Sequence, residues 1–180
     1  PYYISIVKKR NIMNALVQHI EAINVKSQAW VDEDPKNRWS GMVVTDPKHW
    51  AEYGIYTPAE YDRYQDETTL YELASTAYSK SYARSLNTSV MSSVELKEAI
   101  DHYGKAADEV MEAEAEDEKV RVKEFEGRIT QTIMDGANDR ETAIKWILQG
   151  EGLANEADAG YVCFSLGLPY SMENEFKKAA

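Results

Sequence analysis

Apolar residues recur at helical spacing through most of the chain, and this pattern predicts a mainly α-helical protein. The longest example runs from Ser93 to Gly136. Just before it, Ser92 and Glu95 have the spacing of a capping box, which starts a helix. An apolar seam then follows in steps of three and four residues: Leu96, Ile100, Tyr103, Ala107 and Val110. We therefore expect one long helix from about Ser93 to Gly136.

The seam of this predicted helix shifts by one position at Met111. Beyond the shift it continues through Ala115, Glu118, Val122, Phe125 and Ile129. Inserted residues shift such a seam without ending the helix, so a single helix, straight or bent, fits the pattern. A helical hairpin that turns near residues 116–119 also fits, because Gly104 and Gly127 each cost about 1 kcal/mol relative to Ala inside a helix. We expect the single helix.

An acidic run lies over the shift in the seam. Seven of the eleven residues from 108 to 118 are acidic and none is basic: Asp108, Glu109, Glu112, Glu114, Glu116, Asp117 and Glu118. One interpretation is an ordinary solvated helix face. The other is a contact surface for a basic partner. Carboxylates one helical turn apart lie about 6 Å from each other, close to the spacing of phosphates along a nucleic-acid strand.

A small two-stranded β element is expected near the N-terminus. Residues 2–7 are β-branched and aromatic, and residues 41–45 have a similar character, so each segment predicts a short strand and the two could pair. Apolar residues at helical spacing between them predict a helix from about Arg10 to Asn24. This strand-helix-strand part is expected to occupy residues 1–56.

We expect a single domain over residues 1–180. After the N-terminal part, residues 57–136 form a helical part that includes the long acidic helix, and Thr57 begins it as a helix cap. Residues 137–170 predict a pair of helices, of which the second is closed by Gly167. The remaining tail, 171–180, is expected to be solvated.

Composition and charge narrow the choice of partners. The 180-residue chain has a net charge of −11, which argues against direct nucleic-acid binding and against an anionic membrane surface, and suits a basic partner. No run approaches the roughly 20 apolar residues of a membrane span, and no signal peptide is expected, so we predict a cytoplasmic protein. Cys163, the only cysteine, lies in an apolar run and predicts a buried thiol.

Candidate catalytic and metal-ligating residues are few. Glu98 and His102 share a helix face, but no second matching pair accompanies them, so we expect neither a metal site nor a cofactor. The chain has no Gly-rich phosphate loop and no nucleophile-elbow pattern. The preferred interpretation therefore assigns no catalytic residue.

An alternative interpretation begins with Pro1, whose secondary amine could act as a base if its pKa were depressed. Pro1, the predicted strand over residues 2–7, the helix after it and the strand near Val43 are similar in outline to tautomerases, which use a proline at the head of a β-strand. The resemblance implies a Pro1-dependent enzyme in which Arg10 and Arg38 hold a carboxylate substrate. It covers about the first quarter of the chain, and the helical remainder departs from that family's repeated β-α-β plan.

Three hypotheses for function follow. The preferred one is a non-enzymatic protein whose acidic helix binds a basic surface of another protein, as an inhibitor or a nucleic-acid mimic. The second is a structural subunit of a larger assembly, for example a viral one. It rests on the tyrosines, because Tyr and Trp are enriched at binding hot spots. It would self-associate through an aromatic contact face formed by Tyr61, Tyr64, Tyr71 and Tyr78. The third is the Pro1-dependent enzyme.

Overall fold

The structure is a computed structural model that describes the backbone of residues 2–156 and 158–179, and the side chains of residues 13–156 and 158–177. Within these ranges the chain forms α-helices joined by turns, short 3₁₀ helices and irregular segments, which confirms the mainly α prediction. The α-helices are α1 (Tyr2–Glu33), α2 (Pro47–Glu52), α3 (Pro58–Ala77), α4 (Lys80–Ser85), α5 (Ser93–Met134), α6 (Arg140–Gly150), α7 (Ala159–Leu166) and α8 (Glu173–Ala179). The 3₁₀ helices are Thr88–Val90 and Tyr170–Met172.

The predicted two-stranded β element is wrong. Residues 2–7 lie inside α1, and residues 41–45 have no regular secondary structure and no partner strand anywhere in the described backbone. β-branched and aromatic residues cost only a few tenths of a kcal/mol in a helix, and no Gly or Pro separates residues 2–7 from the helical sequence that follows them. α1 ends at Glu33, because Asp34 precedes Pro35 and a residue in that place disfavours the helical conformation.

In the segment 41–45, side chains rather than a second strand supply hydrogen bonds to the backbone of Val43 and Val44. The side-chain amide of Asn24 donates to the Val43 carbonyl at 2.8 Å, and its oxygen accepts from the Val43 N–H at 2.7 Å. The Trp50 indole N–H donates to the Val44 carbonyl at 2.6 Å. Since buried backbone groups need a partner of some kind, these contacts let a β-like sequence lie beside helices.

The chain divides into two compact units, residues 1–107 and 108–180. In the first unit, α1, α2 and α3 contribute to a core whose buried residues are Leu16, Ile20, Trp50, Ile55 and Tyr61. The rings of Trp50 and Tyr61 meet edge to face, with centroids 5.0 Å apart. The single-domain prediction stays a prediction.

The second unit packs the C-terminal half of α5 against α6, α7 and α8. Its core includes Phe125, Ile129, Ile144, Ile147, Leu148, Val162, Cys163 and Phe176. Arg140 connects three of these helices: it donates two hydrogen bonds to Glu126 of α5 at 2.6 Å and one to Glu175 of α8 at 2.8 Å. These bonds hold the pKa of the Glu126 carboxyl below its ordinary value and raise the pKa of Arg140.

The prediction of a solvated tail over residues 171–180 needs correction at Phe176. This side chain is 2 % exposed, and its ring centroid lies 5.8 Å from that of Phe125. It belongs to α8, whose seven residues contain a single aromatic residue and no repeating apolar spacing. A short helix anchored by one side chain carries too little periodicity to be predicted from sequence.

Candidate protein-binding surface

The acidic run is a regular part of α5. The helix begins at the predicted capping box, where the Ser92 hydroxyl accepts from the Glu95 N–H at 3.3 Å and the Glu95 carboxylate accepts from the Ser92 N–H at 2.7 Å. It then continues to Met134 without interruption, so the hairpin alternative is wrong. Repulsion between like charges costs little here, because Glu and Ala are good helix formers and supply every residue from 112 to 116.

All the predicted partner-binding carboxylates are exposed: Asp108, Glu109, Glu112, Glu114, Glu116, Asp117 and Glu118. Every residue from 111 to 121 is exposed, and these residues span about three turns and therefore every side of the helix. Among the described side chains, the one ion pair that this run makes joins Glu116 to Lys119 at 3.0 Å. We call residues 111–121 the exposed segment.

The exposure follows from the residues that occupy the apolar face of α5. On this face Ala107 is buried before the exposed segment, and Phe125 is buried five turns later. Between them the same face carries Met111, Glu114, Glu118 and Arg121. Burying an unpaired carboxylate costs several kcal/mol, so a face that carries two of them stays in water.

One side of the exposed segment forms a shallow depression. It is lined by Met111, Glu114, Ala115, Asp117, Glu118 and Arg121. The lining combines two apolar side chains with three carboxylates and one guanidinium group. We call this feature the acidic depression.

α7 contacts α5 at the end of the acidic depression. The Arg121 guanidinium donates from Nε to the Gly167 carbonyl at 2.7 Å. Gly167 follows the last residue of α7 and has a φ of 65°, a left-handed conformation that glycine adopts without strain. The acidic depression and the C-terminal end of α7 are therefore neighbours on the second unit.

α7 and the turn after it expose a group of aromatic side chains. Tyr161, Phe164 and Tyr170 are 51 %, 70 % and 63 % exposed. The rings of Tyr161 and Phe164 lie 6.5 Å apart, and the Tyr170 ring lies 3.7 Å from the position that a Cβ atom on Gly160 would occupy. We call these three residues the aromatic patch.

Sequence reasoning missed the aromatic patch, although the chain offered a pattern that could have revealed it. α7 is eight residues long and contains no charged residue. It buries Ala159, Val162 and Cys163 on one side, so its larger aromatic residues are left facing outward. A short helix that is apolar on all sides but packs on one side indicates a contact surface.

The tyrosines predicted to form one contact face are dispersed. Tyr61 is 2 % exposed and lies in the core of the first unit, so it is not available to a partner. Tyr71 is half-buried. Tyr64 and Tyr78 are exposed, but Tyr64 lies in the first half of α3 and Tyr78 directly follows the helix, about 20 Å away at 1.5 Å per residue.

Tyr78 belongs to a separate aromatic cluster in the first unit. Its ring lies 4.8 Å from that of Tyr82 and 6.0 Å from that of Tyr103. The hydroxyl groups of Tyr82 and Tyr103 are 2.8 Å apart, and this hydrogen bond raises the pKa of Tyr103 to about 12. Both hydroxyl groups are thus satisfied within the cluster.

The residues of the alternative enzyme do not form a site in the described structure. Pro1 and the side chain of Arg10 lie outside the described residues. Arg38 forms an ion pair with Glu33 at 2.5 Å, donates to the Trp30 carbonyl at 3.0 Å and lies 5.0 Å from the Trp30 ring centroid. These contacts fasten the C-terminal end of α1. The strand that the tautomerase resemblance requires over residues 2–7 is helical, so the geometric basis of that resemblance is wrong.

Other chemical features are limited. Among the side chains that the structure describes, His, Cys, Asp and Glu form no group of three that could hold a metal ion. The Cys163 thiol is buried, and burial raises its pKa. Of the described helices, none combines the length and the apolar character that crossing a membrane requires.

Comparison of the chain with protein-family models, with curated proteins and with solved structures finds no match.

Proposed function

We propose that this protein binds a basic surface of a partner protein through the exposed segment of α5. The observation that carries the proposal is the exposure of every residue from 111 to 121. This segment overlaps the run 108–118, in which seven of eleven residues are acidic. A helix that packed into its own unit would offer one face to a partner. This segment has exposed residues on all of its sides, and within it Arg121 also bonds to Gly167.

The charge of the run is suited to recognition of a cationic surface. Exposed carboxylates act over about 10 Å at moderate ionic strength, and the run concentrates them within about 15 Å of helix. Such a field accelerates association with a basic surface and disfavours acidic ones. Carboxylates spaced about 6 Å along the helix also match a row of phosphate-binding groups, so we propose a groove that otherwise holds nucleic acid as the contact surface on the partner.

A charge-reversal experiment tests this proposal. Glu112, Glu114, Glu116 and Glu118 are replaced together by Lys, which has a helix propensity close to that of Glu. Wild-type and variant proteins are then used to capture proteins from the host cell, and captured proteins are quantified by mass spectrometry. We expect the wild type to retain basic, nucleic-acid-binding proteins that the variant loses and that added duplex DNA displaces.

A matched control changes the net charge equally at other exposed positions. Glu21, Glu52, Glu72 and Glu98 are exposed and lie in the first unit, and their joint replacement by Lys should leave capture unchanged. Equal capture by the wild type and by the charge-reversed exposed segment at low salt would refute the proposal. The hypothesis of a structural subunit stays a prediction, and the tyrosines on which it rests fall into separate groups.

A further inference from the structure

We propose that the aromatic patch of α7 is a docking site for a basic amphipathic helix of the partner. The occupant lays its apolar side chains on Tyr161, Phe164 and Tyr170 and directs its Lys and Arg side chains to the acidic depression. This inference rests on the proposed function and adds the chemical class of the segment that binds.

The aromatic patch has the composition of a binding surface. Its three aromatic side chains are at least half exposed, whereas aromatic residues of this size usually bury most of their surface. Phe164, the most exposed of them, has no polar atom with which to use the surrounding water. Contiguous exposed aromatic residues of this kind mark interaction sites more often than isolated ones do.

The carboxylates at the start of α7 favour a cationic occupant. The Asp158 carboxylate caps the helix by accepting from the N–H groups of Gly160 and Tyr161 at 2.9 and 3.3 Å. A carboxylate oxygen of Glu173 lies 3.4 Å from the position that a Cβ atom on Gly160 would occupy. Both groups border the aromatic patch on the side of Tyr161 and Tyr170.

The acidic depression lies at the other end of α7, where Arg121 bonds to Gly167, three residues after Phe164. Arg121, which joins the two features, shares its helix face with Glu114 and Glu118, whereas Lys119 and Lys123 lie on the opposite face at 100° per residue. Among the described side chains, Arg121 contacts the turn after α7, and Lys177 is paired with Glu173 at 2.8 Å. Within the part of the chain that the structure describes, carboxylates therefore outnumber cations at both ends of α7.

Three kinds of partner could cover an exposed apolar surface: a second copy of the chain, a lipid surface or a helix of another protein. The charge distribution favours the last of these. A second copy of the chain would bring its own acidic run toward the first, and the net charge of −11 opposes that approach. An anionic lipid surface is repelled for the same reason. A helix with apolar residues on one face and Lys or Arg on the other satisfies the aromatic and the acidic parts together.

Two synthetic peptides test the inference directly. The first is an amphipathic helix of about 18 residues, or five turns, with Leu on one face and Lys on the other. The second carries the same lysines with Ser in place of every Leu. Binding of both peptides to the full chain is measured by fluorescence anisotropy at two salt concentrations. The protein variants are Y161S/F164S, the charge-reversed exposed segment described above, and W39S as a control at an aromatic residue that is 84 % exposed in the first unit.

We expect Y161S/F164S to weaken binding of the Leu/Lys peptide by about tenfold and to leave binding of the Ser/Lys peptide unchanged. W39S should change neither. Because Tyr161 and Phe164 are largely exposed, the double variant should keep the circular dichroism spectrum of the wild type.

The outcomes separate the inference from the proposed function. If Y161S/F164S binds the Leu/Lys peptide as well as the wild type does, while charge reversal abolishes binding of both peptides, the inference fails and the proposed function stands. If charge reversal changes neither affinity, the proposed function fails. If the wild type forms a dimer that Y161S/F164S dissociates in analytical ultracentrifugation, a second copy covers the patch and the inference fails.

Discussion

Two consecutive parts of α5 differ in burial, although they belong to one helix. In residues 122–134, which we call the packed part, Phe125 and Ile129 are 3 % and 2 % exposed and pack with the other helices of the second unit. In residues 111–121, no side chain is buried. Charges of both signs occur in both parts, so charge content alone does not separate them. The difference lies in placement, because Glu114 and Glu118 stand on the helix face that Phe125 and Ile129 use for packing.

The ion pairs of the two parts differ in the same sense. In the packed part, Glu126 pairs with Arg140 of α6, and Arg128 pairs with Glu151 just after that helix. In the exposed segment, Glu116 pairs with Lys119 of the same helix. The ion pairs of the packed part thus connect elements of the fold, whereas the carboxylates of the exposed segment form no ion pair with another element among the described side chains. Whether a part of α5 packs or stays exposed therefore depends on whether the residues on its packing face are apolar or charged, and not on its total number of charges.

The largest expected effect comes from breaking the packed part. Phe125→Ala should lower the free energy of unfolding of the second unit by about 3–4 kcal/mol, because it removes a buried aromatic ring and leaves a cavity next to Phe176. The measurement is labelling of the Cys163 thiol as a function of urea concentration. Cys163 is the only cysteine and lies in the same core, so its reactivity reports opening of this unit.

Met111→Ala is the matched substitution in the exposed segment. Its side chain is 59 % exposed, so the change in unfolding free energy should stay within about 0.5 kcal/mol. Comparable losses for the two variants would show that the exposed segment packs as strongly as the rest of α5, and the distinction between the two parts would be lost.

Much of α5 could be predicted from the sequence, because its determinants are local. The Ser92–Glu95 cap and the seam depend on residues within a few positions of one another, and both predict where the helix begins and how far it continues. The run of exposed carboxylates was also visible. Like-charged residues at close spacing are costly to bury, so the sequence alone indicates that these carboxylates are exposed.

The errors arose where distant residues decide the structure. The segment 41–45 has a strand-like sequence, but Asn24 of α1 and Trp50 of α2 supply its hydrogen bonds. Phe176 is buried because α8 folds back to Phe125, about 50 residues earlier in the chain. The aromatic patch depends on which side of α7 packs, and an evenly apolar helix does not indicate that side.

The second prediction concerns pH and the ion pairs of the packed part. Hydrogen bonds from Arg140 lower the pKa of Glu126 below the ordinary value of 4.5. A carboxyl group whose pKa is lower in the folded state stabilises the fold fully above that ordinary value, and this contribution is lost as the pH falls through the folded pKa. We expect Arg140→Gln to reduce the stability of the second unit by about 1 kcal/mol at pH 7, since both partners are partly exposed. The difference from the wild type should shrink below pH 4.5.

Urea unfolding followed by isoleucine methyl NMR signals measures this difference at each pH. Ile129, Ile144 and Ile147 report on the second unit, and Ile20 and Ile55 report on the first. Glu114→Gln, which removes an exposed carboxylate outside the Glu126–Arg140 pair, serves as the matched control at each pH. A constant difference between the wild type and Arg140→Gln from pH 7 to pH 3 would contradict the assigned role of the Glu126–Arg140 pair.

The smallest expected effect comes from exchanging Gly and Ala in the two parts, which changes helix propensity without removing a side-chain contact. Gly127 lies inside the packed part, and a Cβ atom added there meets nothing within 4 Å. Gly127→Ala should therefore stabilise the second unit by about 0.5–1 kcal/mol, because the unfolded chain loses conformational freedom.

Ala113→Gly makes the reverse change in the exposed segment. If that segment opens independently of the core, the substitution accelerates local hydrogen exchange over residues 111–121 and leaves urea unfolding unchanged. If Ala113→Gly instead lowers the unfolding free energy by as much as Gly127→Ala raises it, the exposed segment and the packed part unfold together. The residues on the packing face would then determine which part is exposed, but not which part unfolds first.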